Sequence, residues 1–189
     1  MERPLMALLY SPKQENNFLI PEFNLPAVSG ENFSSSDFNK YDLKVFFFIC
    51  NHCPYVKAIE DRIIKLYKQL KPKNIIFIGI CSNDAADYPE DSFDNIKKTW
   101  QSKNYEFPYL YDETQEVAKA FGAICTPDIF AFDQNNKLFY RGQLDNSWRT
   151  PQSVSREDLK LALEAKLAGN ELTFDQTPSM GCSIKWKDY

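Results

Sequence analysis

The chain has 189 residues, 43% of them hydrophobic, and a formal net charge of −4. That is enough apolar material for one core without disulfide staples, and too much for a disordered chain. The mild acidity offers no electrostatic surplus to a polyanion, which argues against nucleic acid and anionic membrane surfaces as partners. No run approaches the roughly 18 apolar residues of a bilayer span.

Residues 1–22 read as a lead-in. The apolar run at residues 6–10 has neither a leading basic cluster nor a small-residue cleavage site, so it does not read as a secretory signal. The cytoplasm is the expected location. In a reducing compartment the five cysteines Cys50, Cys53, Cys81, Cys125 and Cys182 point to free, catalytic or metal-binding thiols rather than permanent cross-links.

Residues 23–28 suggest a short strand and Gly30-Glu31-Asn32 a turn. The unbroken β-prone run at residues 45–49, VFFFI, predicts a strand buried on both faces. Directly after it stands Cys50-Asn51-His52-Cys53-Pro54. Val56, Ile59, Ile63, Leu66, Tyr67 and Leu70 then recur at helical spacing, with Asn51 as the expected N-cap and Pro54 in the first turn. Lys71-Pro72 closes that helix, and a second buried strand covers residues 75–81.

The acidic stretch 82–92 reads as a solvated loop; it lacks the spacing and glycine of a calcium-binding loop. Phe93, Ile96 and Trp100 mark a helix to about residue 103, residues 107–111 a short strand, and Val117, Ala118 and Phe121 a short helix stopped by Gly122. Residues 129–132 and 137–140 form a hairpin. Ser155 is the expected start of the last helix, with Asp158 as its capping-box acid and Leu159, Leu163 and Leu167 on one face. Gly169 ends it, leaving a tail at 169–189. The order β-α-β-α-β-β-α predicts an α/β sandwich, a mainly parallel sheet with helices on both faces and an antiparallel edge.

A C-x-x-C where a buried strand gives way to a helix has a specific consequence. Free N–H groups and partial positive charge at the helix N-terminus favour a thiolate. Cys50 is the expected nucleophile, and Cys53, a turn along, would resolve the mixed disulfide. His52, the single histidine, lies between them and would tune the Cys50 thiol downward.

With these residues the chain resembles the thioredoxin-like superfamily, and within it the redoxin branch that joins the alkyl-hydroperoxide-reductase/thiol-specific-antioxidant proteins to TlpA-like oxidoreductases. The markers are FNLPAVSGENF, FFFICNHCPYVK and FGAICTPDIFAFDQNNKLFYRG, and they make residues 23–168 the thioredoxin-like domain. TPSMGCSIKWK resembles a small bacterial subgroup. The resemblance implies a thioredoxin-like fold and a cis-proline at Pro127, preceded by Thr126, where the backbone would pair with a bound substrate chain. It departs from thioredoxin in having Ile49 before Cys50 and Lys44 where a buried proton-relay Asp is usual. It departs from peroxiredoxins in having Phe47 in place of the Thr or Ser that polarises peroxide.

Cys125, two residues before Pro127, and Cys182, on a flexible-looking tail, are candidate further redox thiols. Cys182 would resolve Cys50 or pair with Cys125, whereas Cys81 reads as core. Trp148 and Arg149 are candidates for the flank of a substrate groove. The expected activity is thiol–disulfide exchange with protein or small-molecule disulfides and thiols, plus an electron donor or acceptor that the residues do not identify. The alternatives are a thiol peroxidase and a module binding zinc or iron–sulfur through Cys50, Cys53 and Cys125. A closed zinc site needs four ligands and the chain has one histidine, so no metal and no cofactor are expected.

Overall fold

The structure, a computed structural model, describes residues 8–12 and 17–187. The chain runs through β1 (Leu8–Tyr10), β2 (Asn24–Pro26), β3 (Asn32–Ser34), β4 (Leu43–Phe48), α1 (Pro54–Leu70), β5 (Ile75–Cys81), α2 (Phe93–Ser102), β6 (Tyr109–Tyr111) and α3 (Glu116–Phe121). It continues through β7 (Cys125–Thr126), β8 (Asp128–Phe132), β9 (Leu138–Arg141), α4 (Asp158–Leu167) and β10 (Met180–Ser183). The central sheet has the order β6-β5-β4-β8-β9. β4, β5 and β6 are parallel; β8 runs antiparallel to β4, and β9 to β8. This is the α/β sandwich that the element order predicts.

Strand alternation divides the aromatic core between the two faces. Phe46 and Phe48 meet Phe121 of α3, at centroid distances of 5.2 Å each. Phe47 turns the other way, onto Phe77, which packs on Tyr67 of α1. Helices therefore cover both faces. Lys44 is buried in the same strand, and its ammonium donates to the carbonyls of Asp133 (2.9 Å) and Gln134 (3.4 Å), at the opposite end of β4 from Cys50. It is an anchor for the hairpin turn.

Two helix starts differ from expectation. Cys53, not Asn51, is the N-cap of α1, with extended backbone at φ −73° and ψ 121°, and Pro54 opens the first turn. Asn51 is pulled away by bonds to the 82–92 loop. α4 begins at Asp158 with Glu157 as N-cap. Asp158 is not a capping-box acid: its carboxylate is buried and takes bonds from Arg156 and Gln143. Leu159 and Leu163 are buried, whereas Leu167 is exposed.

The largest correction concerns the chain ends. The segment expected as a flexible tail forms β10, which lies between β1 and β7 in a second, three-stranded sheet. Leu8–Tyr10, from the expected lead-in, pairs with Met180–Cys182, and Cys182 and Ser183 pair with Thr126 and Cys125. Residues 1–7, the rest of the apolar run's approach, lie outside the described residues. No helix among the described residues is long and apolar enough to cross a membrane.

Candidate active site

Because β4 and β5 are parallel neighbours, the segments leaving their C-terminal ends lie side by side. One leads into Cys50–Cys53; the other is the acidic loop. Asp91 ties them together. Its Oδ1 accepts the Asn51 and His52 backbone N–H groups at 2.7 and 3.3 Å. Its Oδ2 accepts Asn83 Nδ2 at 2.8 Å and pairs with His52 Nδ1 at 2.5 Å. Asn51 Nδ2 also donates to Glu90 O at 2.9 Å. Asp91 is therefore not part of a solvated face: it is fully buried, and these donors replace the water a carboxylate needs.

The His52 ring lies on the ring of Tyr88, with centroids 5.0 Å apart and planes 21° off parallel. Its Nδ1 is committed to Asp91, and its Nε2 is buried without a hydrogen-bond partner among the described residues. Cys50 Sγ, a His52 ring nitrogen and an Asp91 carboxylate oxygen lie within 4.8 Å of one another. These are metal-ligating types, yet the Asp91 oxygens are already saturated with donors from four groups. The cluster is accounted for as a hydrogen-bonded clamp on the loop.

All five cysteines are free and buried. Cys50 Sγ lies 3.3 Å from Thr126 Oγ1. Cys53 Sγ lies 3.1 Å from Thr126 O and 3.0 Å from Cys182 Sγ. The Thr126–Pro127 peptide is cis, so this turn faces both thiols of the C-x-x-C. Cys125 points elsewhere, its thiol donating to Pro127 O at 3.8 Å, and burial pushes it up. Cys81 lies at the end of β5, reaching Asp91 O at 3.8 Å, and burial raises it too.

The electrostatics correct one expectation. Burial pushes the Cys50 thiol well up, and its hydrogen bond with Cys53 and the nearby Asp91 carboxylate push it further. His52 is turned onto Asp91 and does not counter this. Of the two thiols, Cys53 is the one held low. Hydrogen bonds from the Cys182 and Cys50 thiols and from the Val56 and Cys182 backbone N–H groups pull Cys53 down, against burial. Cys53 caps α1, so the free N–H groups of the first turn lie beneath its sulfur. In its neutral form Cys53 donates to Thr126 O; once ionised it faces that oxygen unfavourably, and the convergent donors outweigh it.

β10 covers the backbone edge of the cis-proline turn. Cys182 pairs with Thr126, and Ile184 N donates to Ile124 O at 2.9 Å. The fit depends on Gly181, where a Cβ would stand 2.0 Å from Thr126 O. The edge expected to receive a substrate strand is thus taken by the chain itself. Beside it, Tyr55, Ile59, Pro127, Leu144, Trp148 and Met180 line a groove, and Trp148 packs on Tyr55 at a centroid distance of 4.4 Å.

Asp91 and the Cys53–Cys182 contact were not picked out from the sequence. Asp91 had a usable signal: two buried parallel strands in succession put the loop after the second beside the C-x-x-C. Cys182 was read as a further redox thiol, but with Cys50 or Cys125 as its partner, because nothing local tells a glycine-cysteine in a polar tail from a strand docked beside Cys53.

The Redoxin family model matches residues 14–159, and the chain belongs to the Redoxin family. Its fold is thioredoxin-like. It is similar over nearly its whole length to an uncharacterized conserved protein from Geobacillus kaustophilus, at 44% identity and a TM-score of 0.92, covering 97% of this chain and 98% of that one. A hypothetical protein from Sinorhizobium meliloti shares 34% identity at a TM-score of 0.89, covering 94% and 98%. The thioredoxin domain of a thiol-disulfide oxidoreductase from Bacteroides vulgatus shares the fold, with a TM-score of 0.63 at 15% identity over 82% of this chain and 99% of that one. A search of functionally curated proteins returned no match.

Proposed function

We propose that this protein is a thiol–disulfide oxidoreductase working through the Cys50–Cys53 pair. The observation that carries this is the pair's placement: two buried thiols at the N-terminus of α1, both within 3.3 Å of Thr126, next to Pro127. Family membership supports a redox role, and the proposed substrates are protein or small-molecule disulfides and thiols.

The chemistry follows from one shared proton. Cys50 passes its proton to the Cys53 sulfur and attacks a substrate disulfide R–S–S–R′; the Cys50–SR bond forms and R′S⁻ leaves. Cys53 gives that proton to the departing R′S⁻ and attacks Cys50 Sγ, closing the Cys50–Cys53 disulfide and releasing RS⁻. Pro127 positions the substrate, whose chain lies along the groove between Tyr55 and Met180, and Thr126 presents its hydroxyl to Cys50. Asp91 and His52 are positioning residues that hold the loop carrying Cys50.

Cys50→Ser should abolish exchange with a protein disulfide, measured as thiol release, while far-ultraviolet circular dichroism stays native. Exchange at the native rate in that variant would refute the proposal. One observation favours a second reading, a thiol peroxidase: Thr126 Oγ1 supplies at 3.3 Å the hydroxyl that Phe47 cannot. Fast peroxide consumption dependent on Cys50 would decide in its favour.

A further inference from the structure

The exchange reading leaves Cys182 without a role, although its sulfur lies 3.0 Å from that of Cys53. We propose that Cys182 is a third catalytic thiol, which takes the Cys53 sulfur over from Cys50, so that the oxidised protein rests as a Cys53–Cys182 disulfide with Cys50 restored as a thiol. This rests on the proposed Cys50–Cys53 exchange and extends it inward.

Geometry carries the proposal. The two sulfurs are 3.0 Å apart, so bond formation at a disulfide length asks for a movement of only about 1 Å. Cys182 is held at that distance rather than passing through it. β10 is paired on one side to β1 and on the other to the cis-proline segment. Gly181 lets its backbone press against Thr126 O, a position that any side chain would forbid. Thr126 O in turn contacts Cys53 Sγ at 3.1 Å. One backbone carbonyl thus sets the position of both thiols.

The step balances without an added oxidant. The Cys182 sulfur attacks Cys53 Sγ; the Cys53–Cys182 bond forms, the Cys50–Cys53 bond breaks, and the Cys182 proton ends on Cys50. One disulfide and one thiol go in, and one disulfide and one thiol come out. The environment also times the step. In the reduced protein the hydrogen bond to Cys53 is the main influence holding Cys182 protonated, followed by burial, with Lys185 opposing them. Oxidation of Cys53 removes the first of these, so the Cys182 proton is held less firmly, with burial still opposed by Lys185. All three thiols are buried, and an intramolecular transfer needs no solvent access to Cys182.

The test uses the full chain, oxidised glutathione as the disulfide, acid quenching, alkylation and mass mapping over time. The expected sequence is a Cys50-linked species first, glutathionylated or joined to Cys53. Cys53–Cys182 then accumulates as Cys182 loses and Cys50 regains alkylation. In Cys182→Ser, where a hydroxyl still donates to Cys53, oxidation should stop at Cys50–Cys53. The midpoint in glutathione buffers should also become less negative, because the oxidised state can no longer pass on to Cys53–Cys182; a merely structural Cys182 would leave it unmoved. Cys50–Cys53 in the wild type at every time point, with Cys182 fully alkylated, overturns the proposal and leaves the exchange reading standing. No disulfide at any of the three overturns both. The wild-type map decides even if the variant does not fold.

Discussion

Cys53 and Asp91 are the two residues on which the site's charge arrangement turns. Each is a buried anion-forming group held by converging donors. For Asp91 those are two backbone N–H groups, the Asn83 amide and the His52 ring. Removing a buried charged acceptor strands its donors at about 1–3 kcal/mol for a typical unsatisfied group. Asp91→Ala should therefore cost about 3 kcal/mol in urea unfolding and lower the exchange rate by loosening the Cys50 loop. Asp91→Asn should recover part of the stability. An unchanged unfolding midpoint in Asp91→Ala would show that the clamp is not formed. At this scale the sequence was legible for residue types but less so for their states. The C-x-x-C and its single histidine stand out, yet which sulfur carries charge depends on Asp91, Val56 and Cys182, and two of these are remote in sequence.

β10 determines what the cis-proline turn can do. Its pairing with β7 closes the backbone edge at Thr126, and its close approach requires glycine at position 181. Gly181→Ala should push β10 off this edge, since a methyl carbon would lie 2.0 Å from Thr126 O. Cys182 should then become alkylatable in the folded protein, read by mass after brief treatment with iodoacetamide. If Cys182 stays protected, the strand does not dock as described. The core elements were readable because each bears its own pattern: β4 from Val45 to Phe48 and the whole of β5 are apolar, and α1 repeats apolar residues every three or four positions. β3, β7 and β10 are short and partly polar, and they exist as strands because of the partner they meet. Short strands with long-range partners leave little periodic trace. The helix caps failed for a related reason, since Asn51 and Asp158 are drawn into tertiary hydrogen bonds that a local capping rule does not see.

Across the whole molecule, five thiols are enclosed in one fold, and this gives its stability a defined pH response. Burial raises Cys81 and Cys125, and burial with neighbouring groups raises Cys50. Cys182 is raised by Cys53 and by burial, and Cys53 alone is lowered. The raised thiols stay protonated in the folded chain and ionise in the unfolded chain near the ordinary value of about 8.5. The folded state then binds more protons, so stability falls as pH rises above that value. Cys53 acts the other way, its contribution being complete above the same value and lost as pH falls through its lowered one, but one group does not offset the others. Urea midpoints of the reduced protein should decline from about pH 8.5 upward; a flat profile would mean that the thiols are not enclosed.

The same enclosure makes the C-x-x-C a mechanism only if it opens to a disulfide, so the most direct test is a redox titration. Reduced Cys182→Ser protein, free of the competing third thiol, would be equilibrated in glutathione buffers, quenched, alkylated and mapped by mass. The expected result is a reversible two-electron couple confined to Cys50 and Cys53. If both remain alkylated across the whole range, or if the disulfide forms through Cys81 or Cys125, the proposed exchange chemistry is contradicted.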